Sequence, residues 1–421
     1  MERKSSVILH FRVQSVRITS NQCLIKEFLC IDGVNRAKII LPVIVLSQFC
    51  CTSLWFAGNG VVNDLVTNFN LQENALGHLT SAVQFGFIVG TLVFAILTIS
   101  DRFSPSKVFL TCALLGSLFN AGIIWDGNTL FTLLAFRILT GFFLAGIYPV
   151  GMKIAADHFD KGLGKSLGFL VGALVVGTAF PHLLKELTGG GLWKYVLLST
   201  SSLAVFGGLL MFIIVPDGPY RKQSQNVNFI ACFSVFRQQN FRSAAFGYFG
   251  HMWELYAFWA FVPLLLKAYS LQQSGVNFNI PLLSFLIIGV GGLACLLSGY
   301  MAQIIGAKRT AFLALLLSGI CCIVSPFMFA IENEVFFVGF LVFWGVVVIA
   351  DSPLFSTLVA QNVTPELKGT ALTIVNCIGF SVTIISIQLL TSLSAFTDSN
   401  YIYSILAIGP VFGLIALSVR R

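Results

Sequence analysis

Charge is what this sequence has least of. Asp, Glu, Lys and Arg make up 10% of its residues, against about 25% in an ordinary soluble domain. Catalytic signatures are missing too. There is no HExxH, no GxSxG elbow and no Walker A loop, so the chain is not expected to be an enzyme, and it has no nucleotide site through which ATP would drive it directly. The ten cysteines form no CxxC pair and no zinc-ligand spacing. Most lie in apolar stretches (Cys50, Cys51, Cys112, Cys295, Cys321, Cys322 and Cys377), where they read as small buried apolar residues. No metal or other cofactor is expected. No apolar h-region follows the basic start, so residues 1–37 read as a cytoplasmic tail and not as a signal peptide.

Hydrophobic length is what fills the chain. Of its 421 residues 57% are hydrophobic, and the mean hydropathy is +0.89. Twelve apolar segments follow the tail, at 38–60, 75–100, 107–125, 129–152, 165–187, 192–215, 242–268, 280–304, 309–330, 335–359, 369–394 and 401–419. Each is near the ~20 residues a spanning helix needs. The reading is an all-α polytopic membrane protein of twelve transmembrane helices in two pseudo-symmetric bundles of six. The polar break at 216–241 divides an N-terminal bundle (38–215) from a C-terminal one (242–421).

Lys and Arg set the orientation. With the N-terminus inside, the inner segments hold the tail cluster and Lys38, then Arg102, Lys107, Lys153, Lys161, Lys165, Arg221, Lys222, Arg237, Arg242, Lys308, Arg309, Lys368, Arg420 and Arg421. The outer loops hold Lys185, Lys194 and Lys267. This bias predicts both termini in the cytoplasm and a multi-pass protein of the inner, or plasma, membrane. It also accounts for the net charge of +8 without nucleic acid as a partner. The lipid bilayer is the expected one.

The halves resemble each other at an offset of about 204 residues. Trp55 in the first span falls opposite Trp259 in the seventh, Gly141 opposite Gly345 and Pro149 opposite Pro353. Internal duplication with a site between the halves is how many secondary transporters are built.

The stretch GYFGHMWELYAFWAFVP, residues 247–263, lies inside an expected span. An ionisable group at such a depth is costly and turns inward, toward partners or a water-filled cavity. Glu254 stands about thirteen residues in, or roughly 20 Å along the helix axis. It reads either as a proton site or as a carboxylate bonded to a neighbouring helix. His251 shares its face at i, i+3 and is a proton partner, a substrate donor or a satisfied polar residue. Tyr256, Trp259 and Trp55 either shape a solute cavity or pack. Arg137, about eight residues into the fourth span, clamps an anion, stabilises the Glu254 charge or bonds backbone carbonyls of a neighbouring helix. Asp351, two residues before Pro353, reads as a proton carrier or as an inner-gate residue paired with a loop Arg. Asn59, Gln84 and Asn376 are further polar residues in apolar surroundings, for substrate or for interhelical bonds.

From residue 38 to 419 the chain resembles the major facilitator superfamily. The loop after the second span, LTISDRFSPSK (97–107), matches that family's motif at Asp101, Arg102 and Lys107. Leu97 and Ser-Pro-Ser depart from it. The second-half copy, GYMAQIIGAKR (299–309), matches at Gly299, Gly306, Lys308 and Arg309, with Gln303 in place of the acidic residue. Arg137, Gly141, Gly146 and Pro149 resemble the fourth-span motif. The Gly-rich fifth span (168–183) lacks the Gly-Pro pair of antiporters. The seventh span and residues 369–383 look like bacterial permeases grouped with nitrate and cyanate carriers, without the glycine-asparagine signature of nitrate carriers.

The resemblance implies a secondary transporter, with a small-molecule substrate, a coupling proton and a monomeric state. It assigns Asp101, Arg102, Lys308 and Arg309 to a conformational gate, to which Asp351 is added by its own place before Pro353. Glu254, with His251, is the expected proton site and Arg137 the expected anion site. The leading expectation is symport of a small anion or organic acid with protons. Export of a drug, siderophore or metabolite is the competing transport reading, and a transport-inactive sensor or assembly factor is the competitor of another class.

Overall fold

The computed structural model describes residues 33–72, 74–159, 163–189, 191–221, 235–364 and 367–418. The tail up to residue 32, the part of the 216–241 linker from 222 to 234, and Lys161, Lys222, Arg420 and Arg421 lie outside the described residues. The described residues form helices and turns, with no strand among them.

Twelve helical passes run through the described residues, and several are interrupted. The first runs over Gly33–Thr52, turns through 53–56, and resumes at Ala57–Gly60 and Val62–Asn68. The second, third, fifth, sixth, ninth and eleventh are continuous: Ala75–Ile96, Pro105–Gly122, Leu163–Leu187, Trp193–Ile214, Ala307–Met328 and Lys368–Phe396. So is the seventh, Gln239–Gln272, whose 34 residues make a rod of about 50 Å. The fourth breaks between Leu130–Leu144 and Tyr148–His158, and the tenth between Glu334–Ala350 and Ser352–Gln361. Pro149 and Pro353 sit in the first turn of each second piece. A proline there lacks no bond the helix would have made, but the turn before it has to open. The eighth divides into Ile280–Gly289 and Gly291–Ile305, and the twelfth joins a 3-10 turn, Asn400–Ala407, to Ile408–Ser418. Among the described residues, nine of these passes are long and apolar enough to cross a membrane on length and composition. The polar residues of the third and seventh dilute their hydropathy.

Small residues let backbones touch. A Cβ on Gly141 would stand 2.0 Å from the Val83 carbonyl oxygen, and a Cβ on Gly345 would stand 2.0 Å from that of Ile287. Val83 and Ile287 are themselves 204 positions apart. The crossing of spans two and four is thus repeated, carbonyl for carbonyl, by spans eight and ten. This is close small-residue packing, which membrane helices use in place of a hydrophobic drive.

Across the seam between the two sets of six, span two packs on eleven and span five on eight. Gln388 Nε2 donates to Ser81 Oγ at 2.8 Å, and Asn279 Nδ2 to Glu186 Oε1 at 2.7 Å. The backbones of Gly172 and Gly292 also meet there, each leaving about a Cβ's width. Through these contacts the described residues from Ile40 onward make one compact unit.

Candidate functional site

The seventh span's polar face lies inside its own half. Glu254 is 1% exposed. Its Oε1 accepts from the indole Nε1 of Trp344 at 2.6 Å, and its Oε2 from Ser318 Oγ at 2.9 Å. The carboxylate therefore joins spans seven, nine and ten. Each oxygen has a donor, which is the arrangement a buried carboxyl requires.

One turn earlier, His251 goes elsewhere. Its Nδ1 lies 2.7 Å from Asp351 Oδ1, both side chains being 1% exposed. Asp351 occupies the break of the tenth span, between Ala350 and Ser352. Its partner is this imidazole, where a loop arginine was expected. Nε2 of His251 has no hydrogen-bond partner among the described residues. The i, i+3 spacing placed Glu254 and His251 on one face, yet the two contact different neighbours. The seventh span packs against spans eight, ten, eleven and twelve; both side chains face the tenth span, Glu254 at Trp344 and His251 a turn further on at Asp351, and Glu254 also reaches Ser318 of span nine.

Arg137 is fully buried. Its Nη1 donates to the Leu54 carbonyl at 3.2 Å and its Nη2 to the Trp55 carbonyl. Those two carbonyls sit in the 53–56 turn, where the first span has lost its regular ladder and Trp55 N bonds back to Thr52 O at 3.0 Å. The guanidinium fork thus closes the helix break, and Gly58 leaves room for it, a Cβ there lying 3.3 Å from Nε. Glu254 and Arg137 are not an ion pair, because each has its own partners. Arg137→Lys keeps the charge but cannot reach both carbonyls with one ammonium. That variant is expected to lose about 1–3 kcal/mol, readable as a lower unfolding midpoint of the purified protein.

Aromatic rings fill the seam. The Trp55 ring lies 4.7 Å from Phe87, 5.9 Å from Tyr256 and 5.7 Å from Phe380, centroid to centroid. Tyr256 and Trp259 are 5.2 Å apart, and Phe56 and Trp259 6.3 Å. Trp55 and Trp259, opposite each other by the 204 offset, do meet one cluster. Both are fully buried, and neither indole Nε1 has a hydrogen-bond partner among the described residues. Gln84 is likewise buried with both amide atoms unpartnered. Asn59 is engaged, donating to Thr80 Oγ1 of the second span at 2.7 Å.

The expected gate residues divide. Asp101 Oδ1 lies 2.8 Å from Lys153 Nζ, and Lys153 also reaches Asp157 at 3.5 Å. Arg221 donates to the carbonyls of Asp101 and Phe103, both at 2.8 Å. This network ties the turn after span two to the end of span four and to the start of the linker. Arg102 bonds Thr98 Oγ1 at 3.0 Å, within its own turn. Lys308 and Arg309 are at the start of the ninth span, and both are exposed.

Sequence reasoning missed Trp344, Ser318, Phe380 and Lys153. Trp344 and Ser318 stand in otherwise apolar or small-residue runs, and only the packing of three helices around Glu254 gives them a task. Lys153 carried one signal, being a lysine one turn before Asp157.

The chain matches the model of the Major Facilitator Superfamily over residues 44–387. It is 29% identical over 174 residues to the niacin transporter NiaP of Acinetobacter baylyi, covering 36% of this chain and 38% of that protein. It is 24% identical over 208 residues to protein spinster homolog 1 of Rattus norvegicus, covering 45% and 37%. The chain thus matches well under half the length of these curated relatives. Among solved structures it resembles the proton:xylose symporter XylE with a TM-score of 0.71, at 16% identity over 91% of this chain and 95% of that one. It resembles a bacterial homolog of the human lysosomal transporter Spinster with a TM-score of 0.67, at 14% identity over 91% and 96%. The nucleoside transporter NupG gives a TM-score of 0.68 at 15% identity over 90% and 98%. At these identities the likeness is one of fold.

Proposed function

This chain belongs to the major facilitator superfamily, and we propose that it is a secondary transporter that carries a small organic anion together with protons. The two halves rock about the aromatic seam and expose it to one side of the membrane at a time. The protein acts as a monomer, in the plasma membrane, with both ends in the cytoplasm, as the Lys and Arg bias favours.

One observation carries the reading. Ionisable groups are buried at the centre of the molecule without charge balance: among the described residues Arg137 has no acidic partner, and Glu254 has no basic one. Arg137 holds the carbonyl of Trp55 itself, so its field acts on the seam and favours an anion there. The His251–Asp351 pair and Glu254 supply places for a proton on the other half. The gap between them is bridged by neutral rings and amides, which leaves the solute as the mobile charge. NiaP carries an organic acid by its name, which agrees in class. The imbalance separates this reading from a purely structural one, in which buried charges pair off.

The test is proton-coupled uptake in liposomes reconstituted with the purified protein. Adding nicotinate or benzoate outside, with the membrane potential clamped, is expected to acidify a lumen loaded with a pH-sensitive dye. Accumulation should rise with the inward proton gradient. Uptake of the same strength with and without the gradient would remove the proton from the mechanism. Arg137→Gln, which keeps one carbonyl contact and drops the charge, should lose anion uptake.

A further inference from the structure

We infer that the seam is a binding site for a flat aromatic carboxylate, stacked between Trp55 of the first half and the Tyr256–Phe380 pair of the second. The inference deepens the transport reading and rests on the seam being the solute's site.

Ring geometry is the first ground. Trp55 is inclined by 24° to Tyr256 and by 26° to Phe380, at centroid separations of 5.9 and 5.7 Å. These are near-parallel faces belonging to opposite halves. A ring in contact with both faces needs roughly 7 Å between them, twice the ordinary carbon–carbon contact distance. A rocking motion that parts the two halves along these faces would open the slot for one aromatic ring. A chair-shaped saturated ring is thicker, and it offers no π face to the rings on either side.

Unpaired donors are the second ground. The indole N–H groups of Trp55 and Trp259 are fully buried and unpartnered. Buried polar groups are ordinarily bonded, and exceptions call for a reason. Here two exceptions of the same chemical kind occur at pseudo-equivalent positions, one on each half. Gln84 adds an unpartnered amide. It lies one helical turn from Phe87, a ring of the cluster, and one turn from Ser81, which bonds across to span eleven. The two indoles thus bring unpartnered donors into the ring cluster, and Gln84 carries another on the helix that supplies Phe87. A carboxylate has two oxygens to receive them. Beneath Trp55 the Arg137 guanidinium adds positive charge without itself being a contact.

The rings alone would be read as packing, and the donors alone as an imperfect core. Together they specify a solute that is flat on two faces and rich in acceptors at its edge. A sugar satisfies donors but does not stack on two faces. An inorganic anion satisfies donors and leaves the rings without a role.

The experiment compares rings of equal size on the full-length protein in detergent, by tryptophan-fluorescence titration and by calorimetry. Benzoate is paired with cyclohexanecarboxylate, and nicotinate with piperidine-3-carboxylate. Each flat acid is expected to bind at least roughly tenfold tighter than its saturated partner, the worth of two stacked faces. Trp55→Phe should keep the ring preference and weaken binding of both acids, since the stack stays and one N–H goes. Trp55→Leu should erase the preference. The wild-type comparison stands even if a variant fails to fold. Equal binding of flat and saturated acids overturns the inference, as does binding of xylose or uridine with none of the acids. The first result leaves proton-driven carriage of an organic anion untouched, whereas the second removes the anion from that reading as well. Ring-selective binding with no proton-coupled uptake would have the opposite meaning, keeping the site and removing the carrier.

Discussion

Glu254→Gln is expected to fold as the parent does and to lose proton-driven accumulation while solute exchange continues. The geometry explains why the two effects separate. In the native site Trp344 donates to Oε1 and Ser318 to Oε2. A glutamine placed the same way accepts from Trp344 with its oxygen and turns its NH2 toward Ser318. Ser318 already points its hydroxyl at the Leu315 carbonyl, 3.1 Å away, so it can donate there and accept from the new amide. Every buried group then keeps a partner. What the amide cannot do is take up and release a proton. A gradient of about one pH unit, worth about 1.4 kcal/mol per proton, sustains about tenfold accumulation for one proton per solute. In Glu254→Gln that ratio should fall to about one. Glu254→Ala is a different experiment, because it leaves the Trp344 N–H buried without an acceptor, at a cost of about 1–3 kcal/mol. Labelled solute in liposomes reads the first effect and thermal unfolding the second. Normal accumulation in Glu254→Gln would leave His251–Asp351 as the place where a proton binds.

Gly141→Val and Gly345→Val should each abolish or nearly abolish folding. The first carbon of the new side chain would lie 2.0 Å from a backbone oxygen in both cases, that of Val83 or of Ile287. No rotamer relieves a clash at Cβ. The helices themselves must separate, and every small-residue contact along the crossing loosens with them. Overfilling a packed core costs typically about 1–3 kcal/mol and sometimes more, and here the obstacle is main chain and not a side chain that can swing away. Gly339 precedes Gly345 on the same span, and a Cβ added there would meet nothing within 4 Å. Gly339→Val is therefore the control, with an expected change of about 0.5 kcal/mol or less. Size-exclusion profiles after heating compare the three. Comparable loss in Gly339→Val would mean that valine at any glycine of this span is harmful, and the close crossing would not be the cause.

The offset of 204 was a sequence observation, and Gly141 and Gly345 show what it amounted to. Glycine is legible because it is an absence of side chain with few other uses in an apolar helix. Its partner carbonyls, at Val83 and Ile287, were illegible because every residue has one. The same asymmetry runs through the candidate site. Glu254, His251, Arg137 and Asp351 stood out because charge is rare in this chain and costly in a bilayer. Their partners did not stand out. Trp344 is one aromatic among many, and the carbonyls of Leu54 and Trp55 became acceptors only because the first span unwinds at 53–56.

By itself the sequence determined the class of molecule. Twelve apolar runs, a Lys and Arg bias and scarce charge leave an α-helical membrane protein as the solution, since backbone groups in hydrocarbon have to be bonded within each helix. It also determined which side chains needed explaining. The tertiary structure decided the pairings: Glu254 with Trp344 and Ser318, His251 with Asp351, Arg137 with two carbonyls, and Trp55 with Tyr256 and Phe380 across the seam. The physical reason is range. Burial cost is a property of one residue and its local run. A hydrogen bond depends on which helix lies within about 3 Å, and that distance is set by the crossings of helices far apart in the chain.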